Sequence, residues 1–322
     1  MIGTMARQAA IVAVLGLMPA LATAGTAGAV TNTGTVYQSV TVQPDSIKTF
    51  TVTCPPGFVA VTGGMVVGKL LFTGGAGPLL GVTRTAAGNA FTFRVGVPVT
   101  QSAQTITLSV RCIRKGFKIP LKALTLKVGK ATGGAIPVTP GATTNKNLKC
   151  PTGQAPTGAG FDVQPADGPR RAESLRGGTL PHYPTGAAAH LTRSMPVNGG
   201  WEFTFHNSGT RPVDAVTEVD CLQRTYVGRL PDHRLAGRYE TIFRQTSHND
   251  LGGHSETTIN ARCTRGQPLG SGFSFSPTLD LIPVTGPGRG RNQFVFDVLN
   301  GQMQPVRFME FELCRDERSY IG

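Results

Sequence analysis

Between Val30 and Phe161 the chain has a single acidic residue, Asp45, and from Asp162 to its end it has no lysine. The first stretch sets nine Lys and four Arg (Arg84, Arg94, Arg111, Arg114) against that one Asp and so carries +12. The second has 17 Arg and 17 acidic residues and carries none of the net charge of +13. Seven of the nine lysines fall between Lys115 and Lys149. Such asymmetry points to an anionic partner, while the same lysines would also keep a secreted protein monomeric and blunt strand edges.

The chemistry-bearing motifs are sparse as well. There is no His-Glu-x-x-His and no Gly-x-Ser-x-Gly, which removes the commonest metalloprotease and serine-hydrolase signatures. Gly64 to Lys69 has the outline of a phosphate loop, but its spacing is short and Leu70 stands where a metal-holding Ser or Thr is needed. His248, Asp250 and His254 put ligand-type side chains within seven residues beside Gly252-Gly253, yet their spacing fits no established structural metal site and a polar turn accounts for them. Neither a metal nor another cofactor is expected.

Long apolar runs are absent after the N-terminus. Arg7 precedes an apolar stretch from Ala9 to Ala22, and the small-residue triplets Ala22-Thr23-Ala24 and Ala27-Gly28-Ala29 follow. This is the form of a cleaved signal peptide, shorter than the roughly 20 residues that span a bilayer. Residues 1–29 are expected to be removed, leaving a secreted chain without a transmembrane segment.

What the sequence does have is repetition. Cys54-Pro55-Pro56-Gly57 with Gly63-Gly64 recurs as Cys150-Pro151-Thr152-Gly153 with Gly158 and Gly160, and as Cys263-Thr264-Arg265-Gly266 with Gly270 and Gly272. Cys112, Cys221 and Cys314 each follow one copy and precede the next. Six cysteines allow 15 pairings, and it is the repeat that selects Cys54 with Cys112, Cys150 with Cys221 and Cys263 with Cys314. With 42 Gly, 23 Pro and 39 % apolar residues, units of roughly 90 residues build thin cores, for which cross-links matter.

Period-two alternation dominates each unit. Val36 to Val42 alternates, turns at Pro44-Asp45 and returns as Ile47 to Cys54; Pro140-Gly141 and Gly252-Gly253 hold the same offset from their cysteines. Each unit is therefore expected to open with a hairpin that ends in its first cysteine. Gly57 suits the positive φ of a tight turn, and the paired glycines leave room where another strand or the disulfide passes closely. The stretches Phe91–Val95, Trp201–Phe205 and Gln293–Phe296 read as core strands. Apolar Met309, Phe311 and Leu313 would place Cys314 on the opposite face, unless a bulge at Phe308-Met309 or beside the cysteine resets the register.

The expected fold is all-β, three repeated antiparallel sandwich-like modules with one disulfide each. The modules run over 30–114, 136–228 and 229–322, with a basic linker or edge strand at 115–135. An insertion in module two, residues 162–190, suggests a short helix from Pro169 to Gly177 carrying Arg170, Arg171 and Arg176, then a loop with His182 and Tyr183. The repeated Cys-Pro-x-Gly, the glycine pair, the Trp or Phe strand and the closing Cys strand together resemble modules of exported, largely uncharacterised proteins of high-GC bacteria. The resemblance covers nearly all of the mature chain, departs at Thr264 where the pattern has proline, and implies export, repetition and disulfides rather than an activity.

Two readings of function compete, with a third behind them. In the first, the protein is a secreted non-catalytic binding or envelope-associated factor. Lys115, Lys118, Lys122, Lys127, Lys130, Lys146 and Lys149 would dock on a wall polymer, an acidic polysaccharide, extracellular DNA or lipid headgroups. In the second, the module-two insertion captures a protein partner through Arg170, Arg171, Arg176, His182 and Tyr183. The third is a polymer-acting hydrolase, for which no pair of carboxylates stands out.

Overall fold

Alternating apolar and polar residues, broken by Gly and Pro, produce strands throughout: the protein is all-β, built of antiparallel sheets with three disulfides and no helix among the described residues. The computed structural model describes residues 33–67, 79–97, 102–114, 116–119, 122–125, 128–166, 189–223, 225–229, 234–253, 255–264, 267–276, 281–287, 293–300 and 303–321. In chain order the first strands are β1 (Thr33–Val42), β2 (Ser46–Thr53), β3 (Phe58–Val67), β4 (Leu79–Arg84), β5 (Ala90–Val97) and β6 (Gln104–Arg114). A small hairpin, β7 (Gly116–Ile119) and β8 (Lys122–Thr125), follows. Next come β9 (Val128–Thr132), β10 (Ile136–Val138), β11 (Thr143–Lys149), β12 (Gln154–Pro165), β13 (Ala189–Val197), β14 (Gly200–Asn207) and β15 (Val213–Gln223). The last are β16 (Thr225–Arg229), β17 (Arg234–Leu251), β18 (Ser255–Arg262), β19 (Gln267–Ser274), β20 (Leu281–Pro287), β21 (Gln293–Asn300) and β22 (Val306–Ile321).

The strands fall into three groups, each with two three-stranded orders: β1-β6-β3 and β2-β5-β4; β10-β15-β12 and β11-β14-β13; β17-β22-β19 and β18-β21-β20. β1 pairs with β6 while β2 pairs with β5, so the two strands flanking Pro44-Asp45 lie in different sheets. This corrects the expected opening hairpin. The turn, with Asp45 at φ 51°, carries the chain from one sheet to the other, and the corresponding β10/β11 and β17/β18 pairs do the same. A period-two pattern marks a buried face on each strand but is silent on which strand it pairs with.

Each disulfide joins the two sheets of one group. Cys54, Cys150 and Cys263 follow β2, β11 and β18, and bond to Cys112 in β6, Cys221 in β15 and Cys314 in β22. By chain-entropy arguments each closure contributes about 4 kcal/mol. Between the sheets lie the aromatic residues of β5, β14 and β21: Phe91 and Phe93, then Trp201, Phe203 and Phe205, then Phe294 and Phe296, all fully buried.

Cys314 reaches its partner without a bulge next to it on β22. The irregularity sits across the ladder, in β19 between Pro268 and Gly270, and it has counterparts opposite Cys112, between Ala60 and Thr62, and opposite Cys221, between Pro156 and Gly158. Both faces of β22 are buried here. Glu310 and Glu312 share the cysteine's face, and Phe311 and Leu313 the other, so apolar residues alone did not mark the face of Cys314.

The groups share sheets. β12 pairs with β4 and β13 with β19, which makes continuous sheets across both junctions, and β20 lies alongside β3. At the three bulges the strands converge. A Cβ on Gly158 would collide with the Val61 carbonyl, and one on Gly270 with the Thr157 carbonyl, while Thr62 Oγ1 donates to the Leu269 carbonyl and, at 3.0 Å, to that of Thr157. First group meets second, second meets third, and third meets first. Gly57 and Gly153 take φ of +82° and +80° in the turn after their cysteines, the left-handed geometry that glycine adopts without penalty.

Candidate functional site

The densest collection of charged side chains lies at the junction of the first and second groups. β15 alternates Glu218, Val219, Asp220 and Cys221, so the two apolar residues point into the sandwich and the two carboxylates point away from it. Away from the sandwich here means toward β4. Arg84, the last residue of β4, places its guanidinium Nε 2.6 Å from Asp220 Oδ1. Its backbone N–H donates to the Glu218 carboxylate, and its Nη2 donates to the Gly129 carbonyl at 2.9 Å. Lys130, from β9, pairs with Glu218 and donates to the Arg84 carbonyl at 3.1 Å.

Four charged groups from three strands thus form one cluster, with Arg84, Glu218 and Asp220 buried and Lys130 at its exposed margin. Asp220 is fully buried and its Oδ2 accepts no hydrogen bond among the described residues. Burial, with Glu218 adding to it, outweighs Arg84 and Lys130 and pushes the Asp220 carboxyl up to about 8. Nearby, Arg94 of β5 lies 2.9 Å from Asp162 of β12 and also donates to the Val163 carbonyl. Burial lowers its pKa, and Asp162 opposes this.

Arg111 occupies in β6 the position before the second cysteine, where β15 has Asp220 and β22 has Leu313. It is buried, donates to the Gln293 carbonyl at 3.3 Å, and desolvation pushes it down to about 10 against the pull of Tyr37. One position therefore carries a cation, an anion and an apolar residue in the three groups. A shared backbone plan is combined with side chains specific to each junction.

These findings redistribute the basic residues of the N-terminal half. Arg84, Arg94 and Lys130 are engaged by Asp220, Asp162 and Glu218. Lys130 is held by Glu218 and the Arg84 carbonyl while staying exposed, so within the expected anion-binding set it is the lysine that already has a carboxylate partner. Lys146 and Lys149 lie on β11, at an edge of its sheet. Lys149 is exposed and Lys146 half-buried, and among the described residues no carboxylate lies within ion-pairing distance of either. Lys118 and Lys122 belong to β7 and β8. The side chains of Lys115, Lys118, Lys122 and Lys127 lie outside the described residues, as do Arg170, Arg171, Arg176, His182 and Tyr183.

His248 stands opposite Phe308 in the β17–β22 ladder, and the side chains of His248, Asp250 and His254 are outside the described residues. Among the described residues no three His, Cys, Asp or Glu side chains come together as a metal site, and no helix is long and apolar enough to cross a membrane. The cluster of Arg84, Glu218 and Asp220 escaped sequence reasoning. Its signal was two acids alternating with Val219 and Cys221 on a strand whose other face is core, a pattern that places charge on the second face, where Arg84 of β4 and Lys130 of β9 meet it.

No protein-family model matches the chain, and comparison with curated proteins finds no relative.

Proposed function

We propose that the protein is a secreted, non-catalytic binding or envelope-associated factor whose lysine-bearing segment docks on an anionic polymer or surface: a wall polymer, an acidic polysaccharide, extracellular DNA or lipid headgroups. The observation that carries this reading is the division of labour among the cations. Those at the first junction are engaged by buried or half-buried carboxyl groups, whereas Lys146 and Lys149 sit on an edge strand with no carboxylate within ion-pairing distance among the described residues. Three disulfides accord with an oxidising, extracellular setting.

Lysines of this kind act as point charges, so binding is salt-sensitive and weakly selective among polymers. Retention on immobilised sulfated polysaccharide and on polyglutamate tests it with the full mature chain. The expected result is elution of the wild type from both matrices by rising salt, with earlier elution from both of a variant carrying Lys118→Gln, Lys122→Gln, Lys146→Gln and Lys149→Gln. Retention that ignores salt or these substitutions would contradict the reading.

A further inference from the structure

Three side chains form a row across β11, β14 and β13, on the face opposite Trp201, Phe203 and Phe205. Thr143 stands opposite His206, and His206 stands opposite His190. The two imidazole centroids are 5.6 Å apart with the rings at 74°, and Thr143 Oγ1 lies 3.0 Å from His206 Nδ1. Both rings are partly exposed.

We propose that His190 and His206 chelate one divalent transition-metal ion, with Thr143 as the positioning residue for His206. Two imidazoles bound to a tetrahedral metal at the usual Zn–N distance of about 2.0–2.1 Å have ring centres about 5 Å apart, close to the spacing already present. The pair sits on adjacent, hydrogen-bonded strands, so little ordering accompanies binding. When His206 Nδ1–H donates to Thr143 Oγ1, the tautomer is set and the Nε2 lone pair is left for the metal, the usual arrangement of a ligating histidine. Waters complete the coordination shell. Imidazole donors suit Zn(II) and Cu(II), with Cu(II) the tighter of the two.

The test is titration of the metal-stripped mature protein with Cu(II) and with Zn(II). One equivalent should bind, His190→Ala and His206→Ala should each abolish it, and Thr143→Val should weaken it by about tenfold, as loss of an outer-shell partner does. NMR of the wild type supplies a readout independent of variant folding: substoichiometric Cu(II) should broaden the His190 and His206 ring signals together. Absence of binding by the wild type, undiminished binding by His206→Ala, or broadening confined to other histidines would overturn the proposal.

Discussion

Arg84 Nε lies 2.6 Å from Asp220 Oδ1, with side-chain exposures of 5 % and 0 %, and this contact joins β4 to β15 across the junction of two groups of strands. Removing one partner from such a pair leaves a charge buried without compensation. Above about pH 8, where the Asp220 carboxyl is ionised, Asp220→Ala is therefore expected to destabilise the protein by about 3–5 kcal/mol, whereas replacing both residues together, Arg84→Met with Asp220→Leu, is expected to cost far less. Denaturant unfolding of the three proteins measures this. A double variant no more stable than Asp220→Ala would show that the pair is not the relevant unit.

The same carboxyl makes stability depend on pH. Its pKa in the folded protein is pushed up to about 8, against an ordinary value of about 3.9 in the unfolded chain. Between these values the folded state holds a proton that the unfolded state has released. The contribution of Asp220 is then present in full below about pH 4 and is lost as pH rises toward 8. Asp220→Asn should flatten this part of the stability profile, read from unfolding midpoints at a series of pH values. An unchanged slope in the variant would assign the dependence elsewhere.

Convergence at the bulges predicts a sharp contrast among glycines. A Cβ at Gly158 or Gly270 meets a backbone carbonyl of the neighbouring group, where no flexible side chain gives way, while one at Gly134 meets nothing within 4 Å. Gly158→Ala and Gly270→Ala should each lower stability by about 1–3 kcal/mol or more, and Gly134→Ala should be neutral or slightly stabilising. Thermal unfolding of the single variants checks the ranking.

How much of this was written in the chain can be judged from particular residues. The cysteine pairs follow from the repeat of the Cys and Gly pattern, and the aromatic core strands and the all-β class follow from alternation of period two. Strand partners did not follow. Ile47 to Thr53 alternates as a hairpin strand would, yet it pairs with β5, since alternation encodes burial and not neighbourhood. Glu218, Asp220 and Glu312 look solvent-facing in isolation and are buried; the partners of the first two, Lys130 and Arg84, come from strands remote in sequence. Division at Phe161 looked natural from charge, but β12 runs Gln154–Pro165 and pairs with both β4 and β15, so a cut there would sever the junction.

The salt dependence of polyanion binding tests the central claim most directly, because the structure separates two lysines with no carboxylate within ion-pairing distance among the described residues from one that is paired with Glu218. Log affinity of the full mature chain for a sulfated polysaccharide should fall linearly with log salt concentration. Lys146→Gln with Lys149→Gln should reduce both the affinity and the slope, while Lys130→Gln, which removes the partner of Glu218, should lower stability and leave the slope unchanged. A slope near zero in the wild type, or a loss of slope in Lys130→Gln equal to that of the Lys146 and Lys149 double variant, would contradict the account.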